Sequence, residues 1–177
     1  FIIAHAKRGD IGNTSRMYAK SVFKGLGADA ITVAPYMGHD SVKPFLDFVD
    51  KWTIVLALTS NKGNQDFQYI KNIEDTFLYE NVLNEANKGG NPESLMFVVG
   101  ATNPQEFKSI RAIVPNSFLL VPGIGAQGGD LAQVCKNGMN KDVGLLVNSS
   151  RSILYASNDE NNFGSAARSQ ALDYQNQ

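Results

Sequence analysis

Apolar residues fall in short continuous blocks along the chain, each followed by a polar stretch that opens on turn-forming residues. The blocks cover residues 1–4, 30–34, 53–58, 95–99, 118–121 and 143–147. They are dominated by Val, Ile, Leu and Phe without polar alternation, which predicts strands buried on both faces. Between them the apolar spacing lengthens to that of helices. A helix is expected from Asn13 or Thr14 to about Gly27, with Met17, Val22 and Leu26 facing the core. Another is expected from a cap at Asp40 or Ser41 to Lys51, and a long one over residues 65–87 with Phe67, Ile70, Ile73, Phe77, Val82 and Ala86 on one face. Further helices are expected up to Ile113, up to about Lys136, and over 161–177. Strand and helix alternate six times, the signature of a parallel α/β sheet with both faces covered.

An eight-unit (β/α)8 TIM barrel takes about 250 residues. Six units in 177 residues, beginning inside an apolar strand, predict a barrel without its first two strands, as a single domain. A six-stranded open sheet is the alternative.

Composition narrows the function classes. At 43% hydrophobic and 19% charged the chain is ordinary for a soluble globular domain. A formal net charge of −1 with interspersed signs offers no basic footprint for nucleic acid. No apolar run approaches the roughly 18 residues of a membrane span. The lone Cys135 excludes an internal disulfide, which fits a reducing compartment and makes the cytoplasm the expectation.

Chemistry gathers where strands end. The first block runs into His5, Lys7, Arg8, Gly9 and Asp10, placing charge at a strand's carboxyl end, where α/β folds keep their sites. Lys7 and Asp10, three apart across a turn at Gly9, would perturb each other's proton affinity if sheltered. Gly123, Gly125 and Gly128 fit the G-x-G-x-x-G spacing after a strand and before a helix. A dinucleotide fold is disfavoured, because one strand follows and ends in Asn148 instead of an acid for the ribose. Side-chain-free amides can still grip a phosphate, and Arg151 at the next strand end supplies a fixed cation.

The run Lys7-Arg8-Gly9-Asp10-Ile11-Gly12-Asn13-Thr14 resembles the signature of orotidine 5'-phosphate decarboxylases of the longer bacterial branch, Asp-x-Lys-x-x-Asp-Ile-x-x-Thr. Val121-Pro122-Gly123-Ile124-Gly125-Ala126-Gln127-Gly128-Gly129-Asp130 is similar to that family's phosphate loop, Asn148-Ser149-Ser150-Arg151 to its last-strand arginine motif, and Thr59-Ser60-Asn61 to a pyrimidine-contacting loop. The resemblance implies cofactor-free and metal-free conversion of orotidine 5'-monophosphate (OMP) to uridine 5'-monophosphate (UMP). Lys7 would be the proton donor, with Asp10 and position 5 completing the charged group. Thr59, Ser60 and Gln127 would contact the pyrimidine side, and Gly125, Gln127, Ser150 and Arg151 the phosphate. Asp10, Ile11 and Thr14 would reach into a partner's site, implying a homodimer.

Two positions depart from the pattern. His5 stands where the family has an acid, and histidine beside Lys7 should stay neutral and accept at one atom only. Strongly reduced turnover is expected, with ligand binding outlasting it. Ser152 replaces a frequent glycine. The alternatives are a homologue that only binds a nucleotide phosphate, and a related metal-using barrel acting on sugar phosphates.

Overall fold

A computed structural model describes residues 1–125 and 127–177. Six parallel strands form one sheet in the order of the chain: β1 (Ile3–Arg8), β2 (Ala30–Val33), β3 (Trp52–Leu58), β4 (Leu95–Val99), β5 (Leu119–Pro122) and β6 (Leu145–Asn148). The sheet curls into a half-barrel. A doubly wound open sheet reverses its strand order at a switch point, and this one does not, so the open-sheet alternative fails. Register is regular in the middle, with Ala30 beside Trp52 and Val33 beside Val55, and again at the far side, with Leu119 beside Leu145 and Pro122 beside Asn148.

The pleat sorts each strand's side chains onto two faces. Ile31, Val33, Val55, Phe97, Val99, Leu119 and Val121 pack outward in one buried cluster with helix residues such as Phe23, Phe45, Leu83, Ile110 and Val134. Ala30, Ile54, Met96, Val98 and Leu120 form a smaller cluster on the concave face, flanked by Ile3, Trp52, Leu56 and Phe118. Continuous apolarity in the sequence therefore reflects two cores, one on each side of the strands.

The helices are α1 (Gly12–Lys20), extended by a π-helical turn Ser21–Gly25, then α2 (His39–Leu46), α3 (Leu78–Gly89), α4 (Phe107–Ile113), α5 (Leu131–Gly138), α6 (Arg151–Leu154) and α7 (Phe163–Asn176). Arg111 in α4 clamps the base of β5 and β6. Its guanidinium donates to the carbonyls of Gly138 (2.6 Å), Ser117 (2.6 Å), Gly144 (2.7 Å) and Val114 (3.2 Å). Burial without a carboxylate partner pulls its pKa down to about 10.

Five expectations need correction, one of them being that Met17 and Leu26 face the core beside Val22, since both are exposed. The first strand is not buried: it starts at Ile3, pairs only with β2, and leaves Phe1, Ile2, His5, Lys7 and Arg8 exposed. Neither Asn13 nor Thr14 caps α1, which Ile11 precedes without a side-chain cap. Gly38 at φ 92°, a conformation costly for other residues, precedes α2 in place of an Asp40 or Ser41 cap, and the helix stops at Leu46 instead of Lys51.

The long helix over 65–87 is the largest error. A 3-10 turn Lys62–Asp66 comes first, and α3 begins only at Leu78. Between them Asn72 Oδ1 accepts from the amides of Glu74 (2.9 Å) and Thr76 (3.0 Å), and Asp75 takes φ 60°. That side chain offers the backbone an alternative to helix. The apolar residues that suggested one face divide accordingly: Phe67, Ile70 and Ile73 are exposed, whereas Phe77, Val82 and Ala86 pack on the core.

Candidate active site

Because all six strands are parallel, every strand-end loop opens at the same end of the sheet. The residues singled out in the sequence lie there in three groups, on β1, on β3 and on β5 with β6.

The β1 group is the least supported. Lys7 has φ 48°, the left-handed region that a non-glycine residue enters at a cost, and the register with β2 slips between Ala4 and Arg8. What holds the distortion is Thr32: fully buried on β2, its Oγ1 accepts from the Lys7 amide at 2.9 Å. Alternation puts His5 on the same face of β1 as Lys7. Loss of hydration and then repulsion by Lys7 push the His5 pKa below its ordinary value of 6.5. Arg8 reaches back over the Tyr18 ring at 5.3 Å. Asp10 is half-buried and its Oδ1 accepts from the Ile11 amide at 2.8 Å. Among the described residues no ion pair includes Lys7, Asp10 or Arg151, so the expected Lys7–Asp10 coupling has no contact behind it. Ile11 and Thr14 are exposed beside them, at the start of α1.

At the end of β3 the structure separates two neighbouring hydroxyls. Thr59 is consumed locally: its Oγ1 donates to Asn61 Oδ1 (2.6 Å) and accepts from Gln68 Nε2 (2.9 Å). Its amide donates to Gln68 Oε1 (2.8 Å), and its carbonyl accepts from Asn64 Nδ2 (2.7 Å). Ser60 is placed differently. Thr102 Oγ1 donates to its carbonyl at 3.1 Å, and its backbone passes so near Gly100 that a Cβ there would lie 2.6 Å away. A Cβ on Gly123 would lie 3.1 Å from the Ser60 Cβ and 2.9 Å from Gln127 Oε1. Gly123, at φ 104° just after β5, thus leaves the room that both Ser60 and Gln127 approach.

The third group encloses space. Pro122, Gly123, Ile124, Gln127, Asn148, Ser150 and Arg151 line a cavity of about 150 Å³. Its loop closes on itself through Gly128 N to Gly125 O (2.8 Å) and Gly129 N to Gly123 O (3.0 Å). Asp130 caps α5 by accepting from the Gln133 amide at 3.1 Å. A carboxylate therefore occupies that helix start, leaving anion recognition to the glycine loop and Arg151. Arg151 opens α6 with its side chain exposed.

Sequence reasoning missed Thr32, Asn64 and Gln68. The first is a polar residue inside an apolar strand, a signal that was present; Gln68 lies where a helix was expected, and Asn64 in the loop just before it.

The family model for "Orotidine 5'-phosphate decarboxylase / HUMPS family" matches residues 1–165. Relatives named orotidine 5'-phosphate decarboxylase include those of Bacteroides fragilis, 58% identical over all 177 residues, and Christiangramia forsetii, 59% identical over the same span. The chain spans 64% of the length of each of these two relatives. Among solved structures, the OMP decarboxylase of Leishmania donovani superposes with a TM-score of 0.82 at 40% identity, covering 98% of this chain and 67% of that one. The enzyme of Methanocaldococcus jannaschii, complexed with the inhibitor BMP, gives 0.73 at 26% identity over 96% and 72%. The half-barrel is accordingly six units of a (β/α)8 barrel. In sequence and in fold, the chain belongs to the orotidine 5'-phosphate decarboxylase / HUMPS family.

Proposed function

We propose that this chain carries the greater part of an OMP decarboxylase that forms UMP in pyrimidine biosynthesis, and that residues 1–177 act as one barrel domain. In the proposed reaction the bond from C6 to the carboxylate breaks, CO₂ leaves, and its electron pair stays on C6. The Lys7 ammonium then delivers the proton, giving UMP. Electrons at C6 have no carbonyl to delocalise into, so preorganised positive charge supplies the stabilisation. No metal or organic cofactor enters the reaction. The strained backbone of Lys7, fixed by Thr32, supports its role as a positioned group.

The observation that carries this reading is the approach of Ser60 and Gln127 to Gly123, beside a cavity that Gln127 and Arg151 line. It supports a ligand with a hydrogen-bonding ring at one end and a phosphate at the other, and favours a nucleotide over a sugar phosphate. Ser60 takes the pyrimidine contact, while Thr59 shapes the loop. Gly125, Gln127, Ser150 and Arg151 take the phosphate. Ile11, with Asp10 and Thr14, serves the partner's site in a cytoplasmic homodimer. Exposed Ile11, Tyr36 and Met37, close after the ends of β1 and β2, with exposed Phe67 and Ile70 in the segment that joins β3 to α3, support such an interface. His5 favours one competing reading, a homologue that binds the nucleotide without turning it over.

The test is incubation of the complete gene product with OMP in a metal chelator. One UMP and one CO₂ per OMP consumed is the expected outcome. UMP binding with no turnover, by the natural protein and by His5→Asp alike, would leave the competing reading in its place.

A further inference from the structure

The final helix reaches the glycine loop through a relay of hydroxyls. Most of α7 is exposed, but Tyr174 near its end is half-buried against the outer core. Its hydroxyl donates to Ser152 Oγ at 3.0 Å. Ser152 Oγ lies 2.6 Å from Ser149 Oγ, which donates to the Ile124 carbonyl at 3.3 Å. Each hydroxyl has one proton to give. Since that of Ser149 goes to Ile124, Ser152 must donate to Ser149, and the relay has one direction: Tyr174 to Ser152 to Ser149 to the loop.

The same two groups press on Gly125. A Cβ there would stand 2.6 Å from Tyr174 Oη and 2.9 Å from Ser152 Oγ, and Gly125 has φ 81°. Only glycine meets both conditions. Ser152 is also the second residue of α6, immediately after Arg151. One set of hydrogen bonds therefore ties together the loop that lines the cavity, the helix that carries its cation, and the last helix of the chain.

We propose that Ser152 and Tyr174 are positioning residues for the phosphate end of the nucleotide, bracing Gly125 and Arg151 at the height that a phosphate requires. The proposal rests on the decarboxylase reading above. Neither side chain lines the cavity, so both act through the loop and through Arg151. A serine at position 152 has a use that glycine would not supply, because glycine leaves Tyr174 without its acceptor.

Tyr174→Phe removes one hydroxyl and keeps the ring's packing; Ser152→Ala breaks the relay from its other side and serves if the first variant folds poorly. Both are compared with the natural protein, as complete gene products, for affinity toward UMP and toward uridine, which lacks the phosphate, and for KM and kcat with OMP. Each variant is expected to weaken UMP binding and raise KM about fivefold, as the loss of one hydrogen bond allows, with uridine affinity unchanged and kcat moving less. The double variant should be no worse than the sum of one break, since the relay fails at either link. Equal losses for UMP and uridine, or no loss for either, would overturn the brace. Natural protein that binds UMP no more tightly than uridine overturns the decarboxylase reading itself, and the brace falls with it.

Discussion

The two edges of the sheet are built to different standards. At β6 and its neighbour β5, the candidate ligand groups sit in an interlocked frame. Arg111 clamps the strands from below, Gly123 leaves room for Ser60 and Gln127 to approach, and the hydroxyls of Ser149, Ser152 and Tyr174 fix the loop above. At β1 the candidate reactive groups His5 and Lys7 are exposed, Lys7 is held in a costly conformation by one hydrogen bond from its amide to Thr32 Oγ1, and His5 stands where the resemblance places an acid. On the proposed reading, ligand binding and proton transfer fall to separate regions, one held by many contacts among these residues and one by few. Damage to either should be readable independently of the other.

The largest expected effect is at β1. Lys7→Ala should lower OMP turnover by about 10³-fold, within the range for a lost general acid, while UMP affinity measured by calorimetry stays within about threefold. Parallel losses in both would erase the distinction between the edges. On the opposite side, Arg111→Ala takes a donor from four carbonyls, of which Gly144 keeps the Leu119 amide, and should cost about 3 kcal/mol of stability. Hydrogen exchange should then speed up in β5 and β6 and stay unchanged in β1. Arg151→Ala should weaken UMP binding about 30-fold, the worth of a charge-assisted hydrogen bond, and leave uridine binding alone.

The smallest effect concerns pH. The folded His5 pKa lies below 6.5, so as pH falls past 6.5 the unfolded chain takes up the proton first and stability drops, levelling off below the folded value. Above 6.5 the group is neutral in both states and contributes no slope. Urea midpoints at two pH values on either side of 6.5 should therefore fall less steeply with acid in His5→Gln than in the natural protein.

Much of this division was legible in the sequence. The six apolar blocks located every strand, and for β2 to β5 the reason is that strands buried between two cores cannot alternate. The glycine spacing located the tight loop beside the cavity, since a chain that needs left-handed φ at Gly123, Gly125 and Gly128 has few other residues to use. What failed was edge against interior: β1 reads as apolar as β4, and only the pairing order tells that it has one neighbour. The helix expected over 65–87 failed because Asn72 captures two amides, a local competition invisible to periodicity. Choosing Ser60 over Thr59 needed the position of Gln68, nine residues on. The relay from Tyr174 includes links between residues 22 and 25 apart, which have no sequence signature.

The central claim is that the frame for the nucleotide is intact and that His5 limits the chemistry. Turnover of OMP by the complete gene product, measured beside its His5→Asp variant at equal UMP affinity, addresses it most directly. An increase of at least about 100-fold in the variant is expected, on the scale of restoring one preorganised charge in a site. Equal turnover by the two proteins would contradict it.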